Sequence, residues 1–261
     1  MGTSASYGTP AGGEWRSVKR QVTALLSGGN TSASPASIVG GTTSASGGLS
    51  FGGGGGGGGG TGGSGGVGGR GRIAGVVSGV GGFGGAVRDE GFDAALGRLG
   101  LDDLRGRPAA EVAAAISEHL ARDTDGLDGE FLQSALMDAL LDAASLGTEL
   151  GYEDFANGVQ DFIGSHGPEG LVELFLDHFV FDTLWARIEQ HAVDRSTDAS
   201  ALESLMAAVK GECDAQVREQ MDAAREAGTF ATIDWFGRGG QDVGMQVVTE
   251  LESRLTALRE T

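Results

Sequence analysis

This sequence predicts an all-α fold: a multi-helix, bundle-like body preceded by a long Gly-rich disordered arm. Three observations predict it. Beyond Arg88 the apolar residues recur at helical spacing almost without interruption, and the β-branched alternation that marks strands is absent. Gly100, Gly126, Gly147, Gly167, Gly228 and Gly237 punctuate that pattern where helices should stop. Ahead of it, residues 1–100 carry 35 of the chain's 50 glycines, far above the roughly 7% of an average protein. Four units are expected: an N-terminal peptide with a short basic amphipathic helix (1–26), a disordered Gly/Ser/Thr-rich linker (27–72), a Gly-rich transition (73–88) and an acidic all-helical domain (89–261).

The chain opens Met1-Gly2-Thr3-Ser4-Ala5-Ser6-Tyr7-Gly8. Small side chains leave the terminal amine unhindered, and removal of Met1 would expose the amine of Gly2. Next, Trp15, Val18, Val22, Leu25 and Leu26 share a helical face over 14–26, with Gly28 and Gly29 as a stop. Arg16, Lys19 and Arg20 make the opposite face basic. Such a helix either docks on the acidic body or presents Trp15, Arg16, Lys19 and Arg20 to a partner protein. From Ser27 to Arg72, with the run Gly52 to Gly60, the composition buries too little apolar surface to offset its ordering entropy. As a glycine-rich coil of about 45 residues it would span roughly 35–40 Å. The stretch from Ile73 to Val87 is expected to form a close-packed helix or hairpin against the body.

In the body, helices are expected near 89–99, 108–121, 129–146, 151–164, 168–192, 198–227 and 239–259. Pro108 suits a first turn, with Val112, Ile116 and Leu120 facing inward. The segment from Leu171 to Trp185 is apolar on nearly all sides and should be the central helix. The turn Asp234-Trp235-Phe236 should seat an aromatic anchor, and Trp235 is also a candidate partner contact.

Charge narrows the function classes. The net charge is −18, and residues 101–261 alone carry 32 acidic against 11 basic side chains. Such a surface repels phosphates, so direct nucleic-acid binding by the body is not expected. The single cysteine, Cys213, cannot form an intramolecular disulfide, and no signal-peptide pattern opens the chain, so a cytoplasmic location is expected.

Motifs for chemistry fail on spacing. Gly79-x-Gly81-x-x-Gly84 matches a dinucleotide fingerprint only because glycine is so dense there, and no βαβ unit follows. Gly71, Gly75 and Gly79 could line a close helix face in a membrane, yet the uncharged stretch is short of the ~20 residues that span one. The acidic run 123–130 lacks the glycine and glutamate of a calcium loop and is expected to be a solvated turn capping the next helix. His178 sits beside Asp177, with Asp182 one turn on, but no His-Glu-x-x-His or di-iron pattern accompanies it. No catalytic residue, metal site or cofactor is expected. Met1-Gly2-x-x-x-Ser6 also fits a myristoylation signal, which would make the chain a membrane-recruited protein, and a membrane-active effector is the other alternative.

Several of these stretches together resemble one family. The start Met1-Gly2-Thr3-Ser4-x-Ser6-Tyr7-Gly8, Trp15, the tract ending Gly69-Arg70-Gly71-Arg72, and Gly91-Phe92-x-x-Ala95-Leu96-x-x-Leu99-Gly100-Leu101-x-Asp103-Leu104-x-Gly106 are similar to the QatB family, the B component of the bacterial Qat anti-phage defence system. The apolar helix at 171–185 and Asp234-Trp235 fit the same pattern, whereas the polyglycine tract here is longer and poorer in lysine. The resemblance implies a non-enzymatic component working with an ATPase, a deazaguanine-synthesis-like enzyme and a TatD-like nuclease. It makes the Gly2 amine a candidate acceptor for the second of these, which activates a carboxylate with ATP and transfers it to nitrogen.

Overall fold

The computed structural model describes residues 12–28, 33–50, 65–124, 126–145, 151–230 and 233–260, and among them no strand occurs. The all-α expectation is met. The helices are α1 (Gly13–Leu26), α2 (Pro35–Ser46), α3 (Gly65–Glu90), α4 (Phe92–Arg98), α5 (Ala109–Leu120), α6 (Gly126–Ala143), α7 (Tyr152–Arg195), α8 (Ala199–Glu226) and α9 (Arg238–Ala257), with short 3-10 turns at Asp102–Leu104 and Leu258–Glu260. Bounds read from periodicity in the body agree to within three residues, although Gly126, read as a stop between helices, is the first residue of α6. Gly167, an expected stop, takes φ 73°, ψ 171° and splits α7 into two halves, the second starting at Pro168, where a missing N–H costs nothing.

The second half of α7 is the central helix, as its sequence predicts. Leu171, Val172, Phe175, Leu176, Phe179 and Val180 are wholly buried, and α7 packs against α3, α6 and α8. At the first half, Phe92 meets Phe83, Tyr152 and Phe155 edge-on, at centroid separations of 5.8, 6.0 and 5.5 Å.

The glycine-rich α3 runs along both α7 and α9. Its glycines allow backbones and rings to approach where a Cβ would not fit. A Cβ at Gly82 would lie 2.7 Å from the Phe236 ring, and one at Gly84 3.0 Å from Pro168 Cα at the break in α7. From the facing helix, a Cβ at Gly244 would lie 2.5 Å from the Ala74 carbonyl oxygen. The row Gly71, Gly75 and Gly79 is not the tight face. Gly75 is exposed with nothing near it, Gly71 has only Met245 Cε at 3.9 Å, and Gly79 touches Leu120.

The division into arm, linker, transition and body needs correction. Residues 27–72 are not a linker throughout, since 35–46 form α2 and α3 begins at Gly65. Composition misled because the entropy of this segment is offset locally and by tertiary burial. Ser34 and Ser37 form a reciprocal capping box with both bonds at 3.0 Å, Pro35 opens the helix and Gly47 closes it in the left-handed region. Ile38, Val39 and Leu49 are wholly buried. A boundary at residue 89 fails too, because α1, α2 and α3 contribute to the same core as the later helices. Nor is the stretch 73–88 a separate transition: it is the interior of α3.

Buried polar groups fix the base of the polyglycine run. Arg187 donates to the carbonyl oxygens of Gly48 and Ser50 at 2.9 and 3.0 Å and to that of Leu49 at 3.3 Å. Glu252, 3% exposed, accepts from the Leu49 amide at 2.9 Å and pairs with Arg70. Asp128 accepts from Ser50 Oγ at 3.2 Å and lies 3.8 Å from Arg72. Hence Asp128 is not part of a solvated turn: it is 5% exposed and ties α6 to both sides of the run. The run Gly52 to Gly60 itself lies outside the described residues.

Candidate functional site

The side chains singled out by the sequence fall at three places: α1, the turn before α9, and the mid-section of α7. On α1 the apolar stripe is used internally. Trp15, Val18, Val22 and Leu26 are buried, and Val18 Cγ2 sits 3.1 Å from where a Cβ on Gly41 of α2 would be. Polar contacts hold the helix at both ends. Arg259 donates to Glu14 at 2.8 Å, and His191 Nε2 lies 3.0 Å from the Lys19 carbonyl oxygen and 3.1 Å from Thr23 Oγ1.

The docked orientation sorts the predicted partner contacts. Trp15, 7% exposed, is a core residue rather than a free anchor. Lys19 is half-buried, whereas Arg16 and Arg20 face solvent and make no ion pair with a described residue. Gly2 lies outside the described residues.

Trp235 is 8% exposed, stacked on Phe230 at 5.8 Å, and its carbonyl oxygen accepts from Ser78 Oγ at 2.6 Å. It lies in the slot left by Gly81, so it anchors the turn as expected and offers little surface to a partner. Its neighbour Phe236, which sequence reasoning did not single out, is 54% exposed, resting on Gly82 and lying beneath the Arg98 guanidinium at 5.9 Å. The only sequence signal for it was its place after a buried tryptophan.

In α7, His178 is half-buried and its Nε2 lies 2.9 Å from Asp142 Oδ2 on α6. Its partner is therefore neither of the sequence neighbours considered, Asp177 and Asp182. Asp177 instead lines a cleft between α7 and α8, where burial and the nearby Asp214 and Glu173 push its carboxyl up to about 7. Burial also raises Asp182, and it pushes the Cys213 thiol up, which keeps that sulfur protonated and unreactive.

Among the described residues no group of three or more His, Cys, Asp and Glu is placed to hold a metal ion. Gly79, Gly81 and Gly84 lie inside α3 and face Leu120, Trp235 and Pro168, so the dinucleotide fingerprint is packing geometry. No helix among the described residues is long and apolar enough to cross a membrane. The arrangement comprises a docked N-terminal helix, the solvent-facing Arg16 and Arg20, and an exposed Phe236 held between Gly82 and Arg98.

A family model described as Qat anti-phage system associated protein QatB matches residues 62–253. The match runs from just ahead of α3 to near the end of α9. No curated protein and no solved structure matched the chain.

Proposed function

Because the chain belongs to the QatB family, with a role in the Qat anti-phage defence system, we propose that it is a protein–protein adaptor whose Gly2 amine is modified by a partner enzyme. The observation that supports this reading is the docking of α1. With Trp15, Val18 and Val22 seated in the core, α1 holds Gly13 at a fixed place on the body, and Arg16 and Arg20 face solvent on the same helix. Eleven peptide steps separate Gly2 from Gly13, so the amine reaches at most about 40 Å from α1. On this reading the modifying enzyme works close to α1 rather than at the far end of a long tether.

In the proposed step a deazaguanine-synthesis-like enzyme activates a carboxylate with ATP as its adenylate, the carboxylate oxygen displacing pyrophosphate from the α-phosphorus. The Gly2 amine attacks the acyl carbon and gives up a proton to solvent, the acyl C–O bond breaks, an amide forms and AMP leaves with the electron pair of that bond. The helical body meanwhile binds the system's ATPase, with its TatD-like nuclease as a further partner, in the cytoplasm. The chain itself supplies no catalytic group and carries no cofactor.

Intact-mass spectrometry of the chain co-expressed with its neighbouring genes tests this, the expected result being an N-terminal adduct on Gly2 after loss of Met1. A plain Gly2 or a retained Met1 in cells that resist phage refutes the modification. A second reading is an adaptor with an unmodified opening peptide, which the same mass measurement would show as a plain Gly2.

A further inference from the structure

A cleft of about 470 Å³ opens between α7 and α8 at the break in α7, in the size range of small-molecule sites. Phe162, His166, Gly170, Glu173, Leu174 and Asp177 line it from α7, and Arg218, Asp222 and Arg225 from α8. One wall is an aromatic pair, Phe162 stacked on His166 at 4.4 Å, fixed by His166 Nδ1 against the Phe162 carbonyl oxygen at 3.1 Å. Gly170 makes room for that pair, since a Cβ there would lie 2.6 Å from His166 Cβ.

The charged groups divide into committed and uncommitted. Arg225 is tied to Glu173 and, at 2.8 Å, to Asp222. Arg218 makes no ion pair with a described residue, although its charge reaches Asp177. Asp177 makes no hydrogen bond through Oδ1, a buried oxygen left without a donor. A buried polar atom without a partner calls for an explanation. The cleft is therefore lined by one cation and one carboxyl group that are not committed to a described residue, and by an apolar wall formed by Leu174 and the aromatic pair.

We propose that this cleft binds a neutral α-amino acid with an apolar side chain, its carboxylate on Arg218, its ammonium on Asp177 and its side chain against Phe162 and Leu174. A zwitterion suits the site because it adds no net charge to an acidic molecule. A phosphate dianion would instead face Glu173, Asp177 and Asp222. The proposal is independent of the adaptor reading and survives its failure.

Binding of the ammonium requires Asp177 ionised. The groups acting on it are Glu173 on its own helix and Asp214, Lys210 and Arg218 on α8, the two carboxylates opposing ionisation and the two cations favouring it. Affinity should thus rise from pH 6 to pH 8, with proton release on binding at neutral pH.

The test is titration calorimetry of the full chain with L-phenylalanine, N-acetyl-L-phenylalanine and L-phenylalaninamide at pH 6 and pH 8. Saturable binding of L-phenylalanine, strengthening with pH, is expected, with about tenfold or greater weakening for either blocked analogue and for Asp177→Asn or Arg218→Gln. Arg218 is exposed and Asp177→Asn removes a buried charge, so both variants should keep the wild-type far-UV circular dichroism. No saturable binding of L-phenylalanine, or equal binding of all three ligands, overturns the proposal.

Discussion

Replacing Gly81 by alanine separates close packing from helix propensity, because Gly75 on the same helix supplies a matched control. A Cβ at Gly81 would fall within 2.5 Å of three carbons of the Trp235 indole, whereas a Cβ at Gly75 would meet no atom within 4 Å. Both changes gain the same propensity, about 0.5–1 kcal/mol for Gly→Ala in a helix interior. Gly75→Ala should keep that gain. Gly81→Ala must displace a buried tryptophan that also presses on α9, an overpacking cost of about 1–3 kcal/mol.

Propensity cancels in the comparison, so Gly81→Ala should be less stable than Gly75→Ala by that same about 1–3 kcal/mol. At about 2–4 °C per kcal/mol for a chain of this size, the midpoints should differ by roughly 2–12 °C. Urea unfolding followed by far-UV circular dichroism measures the difference, and Trp235 fluorescence should change in the Gly81 variant alone. Equal stabilities would refute the assignment of α3 as a helix whose glycines exist for close approach.

Three further outcomes follow from named contacts. Arg187→Ala leaves the carbonyls of residues 48–50 without their donor, a loss of roughly 1–3 kcal/mol for each buried acceptor left unpaired; hydrogen exchange should show the Leu49 amide deprotected. Asp177 has its folded-state pKa, about 7, above its unfolded value, so its protonated form stabilises the fold at low pH and that contribution is lost as pH rises through about 7. Asp177→Asn should therefore flatten the fall in urea midpoint between pH 5 and pH 8 and gain at most about 4 kcal/mol at pH 8; an unchanged slope would remove Asp177 as its source. Trp15→Ala should cost about 3–5 kcal/mol and release α1, so that trypsin cuts at Arg16 and Arg20 faster than in the wild type, as gel analysis of a time course would show.

The sequence by itself determined the all-α class, the helices of the body and the central place of Leu171 to Trp185, because helical periodicity and glycine stops are local properties of the chain. It also excluded the dinucleotide, calcium and membrane-spanning motifs, since each needs a spacing or length that is plainly missing. The candidate site was legible only in part. Trp15 reads as an apolar anchor from its position, but whether it faces the body or a partner depends on Gly41 and on His191, which lie far away in sequence.

Composition hid α2: its capping box at Ser34 and Ser37, Pro35 and Gly47 are local signals, but the burial of Ile38, Val39 and Leu49 that offsets the rest of its ordering entropy was decided by tertiary structure. Tertiary structure likewise decided which glycines of α3 are tight. Gly71, Gly75 and Gly79 repeat regularly, yet the close contacts fall at Gly81, Gly82 and Gly84, where Trp235, Phe236 and Pro168 arrive from distant parts of the chain. The pairing of His178 with Asp142, and the burial of Asp128 beside Ser50 and Arg72, are non-local for the same reason. Backbone spacing sets which residues share a face, but only the packing of one face on another fixes which charges and rings meet.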